Sequence, residues 1–346
     1  FKTDWHEVPE WNPDRKCWEK HDGQWMQIQI GNYGGEEAFN RQFGTAFDSN
    51  ANSLISNKKL KQIYHKTVTF VEKDLPGCQQ YFLWHPDFEP VEGLKNGFFI
   101  ITCDLAEGGG NDYTTYIINQ VYLDKGVVKY KCVGMFHRND INLETSAYWL
   151  RYICKTYMVY GRFYISIEMN TYGELFIRYL KDLIDSEPDY SRFNTDCFLR
   201  LRVEKKIGGK IKAEYRIGVK MDKKEKLYGC PTFKTKFESD IIENTNDLFI
   251  NEAYNFCDEA GNNIYQASYG HDDIFMAQMQ LVFFERTIAY NNIIESIKMG
   301  GTNENKFYNL YDQLSMGTGM ILPSGFEDEQ NHSDDEFERF RSRFFQ

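Results

Sequence analysis

The sequence predicts an α/β domain with a mixed central sheet flanked by helices. Short continuous apolar runs indicate buried strands, and runs rich in β-branched and aromatic residues on either side of a turn indicate antiparallel strands. Apolar residues at helical spacing lie between these strands. The 346 residues of the chain are enough to bury a large hydrophobic core.

The first strands of the predicted sheet lie between residues 98 and 136. The run from Phe98 to Cys103 ends on Asp104, which glycines follow, so a buried strand is expected to carry a carboxylate at its tip. Residues 114–123 and 127–136 are separated by Asp124-Lys125-Gly126, a hairpin turn signal. Three antiparallel strands are therefore expected here.

Helices and a further strand follow in alternation. Residues 143–157 have helical spacing, and the apolar run from Phe163 to Ile167 ends on Glu168. Residues 173–184 predict another helix. Two buried strands of the predicted sheet thus each end on an acidic residue.

A basic hairpin is predicted over residues 198–218, where two strands surround Gly208-Gly209. The stretch from Arg200 to Lys226 holds 11 Lys or Arg and four Asp or Glu, whereas the whole chain has a formal charge of -11. A local basic strip on an acidic body suits a protein that meets phosphate on one face. A solvated charged hairpin is the alternative. The residues expected to contact DNA are Arg200, Arg202, Lys205, Lys206, Lys210 and Lys212.

The last predicted elements are two helices, over residues 223–243 and 274–284. Gly270-His271-Asp272-Asp273 stands directly before the second of these helices. Acidic residues in a first helical turn also suit the helix dipole. This segment is the third that presents carboxylates at the end of a regular element.

Composition excludes several other classes of protein. No apolar run is long enough to cross a bilayer, and the amino-terminal residues lack the pattern of a secretory signal. The eight cysteines have no close pair, which fits neither a zinc site nor a dense disulfide framework. We expect a soluble protein of a reducing cytoplasm.

The three acidic segments together predict a centre for divalent metal ions. Hard divalent ions take oxygen ligands, and two ions about 4 Å apart can activate a water and stabilise the leaving oxygen of a phosphodiester. Like charges held close together raise one another's pKa unless a cation offsets them. Each acid also has an alternative structural role when it is considered alone. Asp104 could be a turn residue, Glu168 could form an ion pair at a strand end, and Asp272 could cap the N-terminus of a helix.

Residues near these acids have open roles. Glu107 and Asp112 either bind metal through water or only shape the loop after Asp104. His271 either assists water activation or metal binding, or is a capping or packing histidine. Gly108-Gly109-Gly110 could cradle phosphate, but the chain has no Gly-x-x-x-x-Gly-Lys-Ser/Thr pattern, so we expect no nucleotide hydrolysis by the chain as given.

The first two acidic motifs resemble those of the large terminase subunit of tailed bacteriophages, the motor and nuclease that packages genomes. Residues 98–113, FFIITCDLAEGGGNDY, are similar to the first nuclease motif of that family. The match puts Asp104, Glu107 and Asp112 at the acidic positions of that motif. Residues 165–173, ISIEMNTYG, are similar to the second motif. The resemblance gives Glu168 the role of a metal ligand.

The third motif and the preceding junction extend the resemblance. Residues 269–277, YGHDDIFMA, are similar to the motif whose paired aspartates, here Asp272 and Asp273, complete the centre. Which of the two is the main ligand is left open. Residues 39–47 and 53–56 are similar to the junction between ATPase and nuclease domains.

The resemblance implies three regions. Residues 1–75 would be the end of an ATPase domain and a linker, and residues 76–290 a ribonuclease H-like nuclease domain. Residues 291–346 would form a C-terminal extension with an acidic tail. The implied fold is therefore α/β, with a ribonuclease H-like mixed central sheet flanked by helices and an added basic β-hairpin.

The resemblance also implies a function. The implied protein is a metal-dependent endonuclease that uses two Mg²⁺ or Mn²⁺ ions. It would cut double-stranded concatemeric viral DNA to start and end genome packaging. The implied partners are a portal protein and a small terminase subunit, and the implied place is the host cytoplasm and, transiently, the portal vertex of the procapsid. The isolated domain would be a monomer and the full-length motor an oligomer.

Two other functions remain open at this point. One is a different ribonuclease H-like DNA nuclease, of the junction resolvase or transposase type. The other is a non-catalytic module that docks on a portal ring, with its acids serving only as a charged surface.

Overall fold

The fold comes from a computed structural model in which part of the chain is described. For residues 9–12, 17–20, 204–207 and 210–213 only the backbone is described. The other described residues are 53–79, 82–106, 110, 112–187, 192–203, 214–258, 264–268 and 270–298.

The strands and helices are numbered in chain order. The strands are β1 (Pro9–Asn12), β2 (Cys17–Lys20), β3 (Val71–Glu72), β4 (Leu83–Trp84), β5 (Phe98–Asp104), β6 (Thr114–Asp124), β7 (Val127–Arg138), β8 (Phe163–Ile167), β9 (Arg200–Ile207), β10 (Lys210–Ile217), β11 (Ile242–Glu243), β12 (Phe256–Asp258) and β13 (Tyr265–Ala267). The helices are α1 (Asn57–Tyr64), α2 (Pro90–Asn96), α3 (Leu143–Tyr157), α4 (Thr171–Ser186), α5 (Lys223–Glu238), α6 (Asp247–Asn255), α7 (Asp273–Met279), α8 (Leu281–Phe284) and α9 (Ile288–Lys298). Across the described ranges, none of these helices is both long enough and apolar enough to cross a membrane.

A mixed sheet forms the centre of the described fold. Its strands lie in the order β3-β4-β7-β6-β5-β8, and β11 pairs with β7 outside this path. The β5–β8 and β7–β11 pairs are parallel, whereas the other neighbours are antiparallel. The pairs β1–β2, β9–β10 and β12–β13 are separate antiparallel ribbons.

Helices cover both faces of this sheet. Successive side chains of a buried strand point to opposite faces, so the apolar residues of one strand pack against helices on both sides. Phe98 and Ile100 of β5 belong to one apolar core, which α1 and the helices from α5 to α9 complete. Phe99 and Ile101 belong to a second core on the other face, which α3 and α4 complete. The predicted mixed central sheet flanked by helices is thus confirmed.

The predicted hairpin between β6 and β7 is also confirmed. Lys125 has a φ of 51° and Gly126 a φ of 82°, the left-handed conformation that a two-residue turn adopts between right-twisted antiparallel strands. The two strands then pair from Asp124 opposite Val127 to Thr114 opposite Arg138.

Two predicted helices are shorter than expected. The helix expected over 223–243 ends at Glu238, because Asp240 has a φ of 57° and Ile242 pairs with Tyr130 of β7. Pairing with a distant strand therefore overrides local helix propensity. The helix expected over 274–284 is divided at Gln280 into α7 and α8.

Residues 53–75 pack on the rest of the domain. Leu54, Ile55 and Leu60 are buried in the same core as α5 to α9, and the Leu54 N–H donates to the Phe256 carbonyl at 2.9 Å. At the other end, α9 crosses residue 290. The domain limits at 75 and 290 stay predictions, and the junction motif at 39–47 and the acidic tail lie outside the described residues.

Replacing Phe275 with alanine is expected to lower the free energy of unfolding by about 3 to 5 kcal/mol. The Phe275 ring is fully buried, with its centroid 4.2 Å from that of Phe256 and 5.2 Å from that of Phe233. Chemical denaturation followed by circular dichroism measures the change.

Val127→Ala is the control, since Val127 is 47% exposed at the start of β7. Its effect should stay within about 0.5 kcal/mol. Equal denaturation midpoints for the two variants would contradict the packing described for α7.

Candidate metal centre

Asp104 occupies the end of β5, which lies between β6 and β8 in the sheet. Because β5 pairs with β6 on one side and with β8 on the other, the half-buried carboxyl of Asp104 lies among neighbouring elements. Burial raises the pKa of Asp104 well above its ordinary value, and the nearby carboxylates of Glu168, Asp273 and Asp272 raise it further. The structure therefore brings together all four of the acids singled out in the sequence.

The side chains of Asp104 and Glu168 interact directly. This interaction raises the pKa of Asp104 and opposes the rise in the pKa of Glu168. Burial is nevertheless the largest influence on Glu168 and keeps its pKa above the ordinary value, although Lys226 opposes this effect.

The backbone around Glu168 fixes its place beside Asp104. The Glu168 N–H donates to the Cys103 carbonyl at 3.0 Å. Two residues later, Asn170 caps α4 by accepting from the Gly173 N–H at 2.9 Å. A Cβ atom on Gly173 would lie 1.9 Å from the Glu168 carbonyl oxygen. The Glu-x-Asn-x-x-Gly pattern therefore encodes a strand end, a helix cap and a close backbone approach.

The paired aspartates stand at the start of α7 and make different contacts. Asp272 Oδ2 accepts from the Ala267 N–H at 3.3 Å. Although Asp272 occupies the N-cap position, its side chain forms no capping hydrogen bond, so the simple N-cap interpretation is wrong.

Asp273 differs from Asp272 in its surroundings. Burial raises the pKa of Asp273 to about 6, although His271 and the backbone N–H of Tyr113 oppose this rise. The Oδ2 atom is buried without a hydrogen-bond partner, and His271 Nδ1 lies 3.6 Å from it. An unpartnered buried carboxylate oxygen is expected to attract a cation.

The donor chemistry of these four acids fits hard divalent ions, which take carboxylate oxygens as ligands. Their side chains are instead bonded to one another and to the backbone. In the part of the chain that the structure describes, no three His, Cys, Asp or Glu side chains surround a common point. Binding an ion at these four acids would therefore need their side chains to turn.

Glu252 of α6 is an acidic neighbour that sequence reasoning missed. It is 9% exposed, and burial raises its pKa to about 8. Its Oε2 accepts from the Phe275 N–H at 2.8 Å, so it caps α7 from another helix. No motif marks Glu252, because its partner is far away in the sequence.

An aromatic cluster of Tyr113, His137 and His271 lies beside Asp273. Tyr113 stacks on His137 with ring centroids 4.0 Å apart, and His271 meets Tyr113 edge-on at 5.2 Å. Burial lowers the pKa of His137 to about 4, with a smaller contribution from His271. His137 was not singled out in the sequence. Of the secondary candidates, Asp112 is exposed, and Glu107 lies outside the described residues.

The predicted basic hairpin forms and emerges beside Glu168. The strands β9 and β10 pair from Arg200 opposite Ile217 to Ile207 opposite Lys210. At the base of the hairpin, the Leu199 N–H donates to the Ile165 carbonyl and the Val219 N–H to the Ile167 carbonyl, both at 2.8 Å.

Gly218 is required at this base, because its φ is 73° and a Cβ atom there would lie 2.3 Å from the Ile167 carbonyl oxygen. Arg200 and Arg202 are exposed. Four of the side chains predicted to contact DNA lie outside the described part of the structure, namely those of Lys205, Lys206, Lys210 and Lys212.

Comparison with known proteins gives one group of similar structures. No family model matches the chain. A crystal structure of the large terminase nuclease from thermophilic phage G20c is 14% identical, covers 66% of this chain and 96% of its own, and has a TM-score of 0.42.

Two metal-bound forms of the same nuclease are also similar. The form with bound cobalt is 16% identical over 67% of this chain and 96% of its own, with a TM-score of 0.42. The form with bound zinc is 12% identical over 64% of this chain and 95% of its own, with a TM-score of 0.37. These structures carry the same family name that the sequence motifs indicated. The function proposed below rests on the residues of this chain.

Replacing Gly173 with alanine is expected to lower the free energy of unfolding by about 1 to 3 kcal/mol, since the new Cβ would overpack a close backbone contact. The first turn of α4 would have to move away from the Glu168 carbonyl oxygen, which lies 1.9 Å from the ideal Cβ position. Chemical denaturation measures the loss.

Lys181→Ala in the same helix is the control, because Lys181 is exposed and should tolerate truncation to within about 0.5 kcal/mol. If Gly173→Ala proves as stable as this control, the close approach of α4 to Glu168 is incorrect.

Proposed function

We propose that this chain is the metal-dependent endonuclease of a phage DNA-packaging terminase, which hydrolyses phosphodiester bonds of double-stranded DNA. The supporting observation is the convergence of Asp104, Glu168, Asp272 and Asp273 at the adjacent ends of β5, β8 and α7. Carboxylates collected on three separate elements fit a centre for hard cations, which need several oxygen ligands at once.

These four carboxylates would hold two Mg²⁺ or Mn²⁺ ions. Two such ions, when bound, activate a water and stabilise the leaving oxygen of the phosphodiester. Asp104 would be a ligand shared by the two ions, because its carboxyl interacts with Glu168 and with both aspartates. Glu168 would hold one ion and an aspartate of the pair the other.

Asp273 is the better proposed ligand of that pair. Its Oδ2 is buried without a hydrogen-bond partner, whereas the Oδ2 of Asp272 accepts from the Ala267 backbone. The backbone N–H of Tyr113 lowers the pKa of Asp273, and His271 Nδ1 lies 3.6 Å from Asp273 Oδ2, where it would assist water activation or metal binding.

DNA would approach along the basic hairpin. The base of the hairpin joins the sheet beside Glu168, and its exposed Arg200 and Arg202 have the chemistry to contact phosphate oxygens. Phosphate contacts position a duplex without reading its sequence, which suits a cut with little sequence preference.

The cellular setting follows from the family that the motifs resemble. The cut would start and end the packaging of concatemeric viral DNA in the host cytoplasm, with a portal protein and a small terminase subunit as partners. Docking on a portal ring without catalysis is less well supported, because Glu168 and Asp273 are half-buried and would make a poor charged surface.

Asp104→Asn is expected to lower the rate of Mn²⁺-dependent cleavage of plasmid DNA by on the order of a hundredfold or more, the scale of losing one group that stabilises transition-state charge. The amide keeps the shape of the side chain but cannot carry a negative charge. Conversion of supercoiled plasmid, followed on agarose gels, measures the rate, and circular dichroism checks the fold.

The matched control is Asp182→Asn, because Asp182 is an exposed aspartate of α4 outside the centre. It should cleave at the wild-type rate. Undiminished cleavage by folded Asp104→Asn would contradict the proposed centre.

Arg202→Ala is expected to weaken duplex binding and to reduce the slope of log affinity against log salt concentration by about one, since one phosphate contact is lost. Fluorescence anisotropy of a labelled duplex in EDTA, measured at several salt concentrations, separates binding from cleavage. Lys95→Ala, an exposed change in α2, should leave the slope unchanged. A slope equally unchanged in Arg202→Ala would exclude this arginine from the DNA interface.

A further inference from the structure

Gln280 connects the elements that carry the candidate ligands. Its side chain is fully buried at the break between α7 and α8. The Gln280 Nε2 donates to the Cys103 carbonyl at 2.8 Å, and the Gln280 Oε1 accepts from Ser166 Oγ at 3.1 Å. One amide thus bonds to both β5 and β8.

Both contacts lie close to the acids. Cys103 directly precedes Asp104, and Ser166 lies two residues before Glu168. Gln280 itself directly follows α7, whose first residue is Asp273. The amide therefore links the helix that carries Asp273 to the last residues of the two acid-bearing strands.

The direction of these bonds gives them a role that apolar packing does not have. Apolar contacts from Phe275 and Met279 already hold α7 on the sheet, but the hydrophobic effect is non-directional. Hydrogen bonds weaken steeply away from their preferred distance and angle. A side chain that must satisfy two strands at once therefore limits how far the helix can slide along them.

Gln278 provides an internal comparison. It is also fully buried, and it also bonds the helix to its surroundings, because Nε2 donates to Asn119 Oδ1 at 2.7 Å and Oε1 accepts from Asn244 at 2.9 Å. Neither β6, which holds Asn119, nor the segment of Asn244 carries one of the four proposed ligands. Gln278 lies in α7 and Gln280 directly follows it, and both are buried amides, but only Gln280 bonds to the strands that end at Asp104 and Glu168.

We propose that Gln280 is a positioning residue of the metal centre, which fixes the placement of Asp273 relative to Asp104 and Glu168. This inference rests on the proposed function, since it assumes that those acids hold metal. Gln280 touches none of the reacting atoms and acts only through Cys103, Ser166 and the course of α7.

The test compares Gln280→Met with Gln278→Met in the full chain. Methionine keeps the length of the side chain and removes both hydrogen bonds, so the two variants should lose similar amounts of stability in chemical denaturation. Mn²⁺ binding, followed by electron paramagnetic resonance of the free ion, should weaken by about tenfold in Gln280→Met, the lower end of the range for groups that orient metal ligands. Gln278→Met should bind Mn²⁺ as the wild type does.

If Gln280→Met does not fold, Ser166→Ala takes its place, because it removes only the bond to β8. A several-fold loss of Mn²⁺ affinity in Ser166→Ala would then support the inference. The inference would be overturned if the Gln280 or Ser166 variant bound Mn²⁺ as tightly as the wild type does. It would also be overturned if the Gln280 and Gln278 variants lost equal amounts of Mn²⁺ affinity. A wild-type chain that binds no Mn²⁺ would instead overturn the proposed function, and with it this inference.

Discussion

The parallel pairing of β5 with β8 is the constraint on which the candidate centre depends. It aligns Cys103 with Ile167, so the next residue of each strand, Asp104 and Glu168, meets at one edge of the sheet. Antiparallel pairing would have put the two strand ends at opposite edges. The helix α7 then brings Asp272 and Asp273 to the same edge, and the residues at the base of the basic hairpin bond to β8.

Collecting carboxylates at one edge has an electrostatic cost that the surrounding backbone reduces. Burial and the neighbouring carboxylates raise the pKa of Asp104, and the Ala267 N–H donates to Asp272, whereas Asp273 Oδ2 has no hydrogen-bond partner. Glu252 remains buried because it caps α7. These contacts hold the acids in place without neutralising all of them, a condition that suits the binding of cations.

The elements that carry the centre could be predicted from sequence because their signals are local. The apolar run before Asp104, the run before Glu168 and the turn at Lys125-Gly126 are each contained in a few consecutive residues, and each forms as expected. Helix ends were less predictable. The helix after Lys223 stops early since Ile242 pairs with Tyr130 of a distant strand, which no local pattern reports.

The sequence by itself determined the strands from β5 to β8, the helices α3 and α4, and which of these strands lead to acids, since side-chain periodicity and strand tips are properties of neighbouring residues. Only the tertiary structure decided that Glu252 caps α7, that His137 stacks on Tyr113, and that Gln280 joins β5 and β8. The same holds for the different environments of Asp272 and Asp273. Each of these features depends on partners far apart in the chain, whose proximity is set by how the sheet pairs and how the helices pack on it.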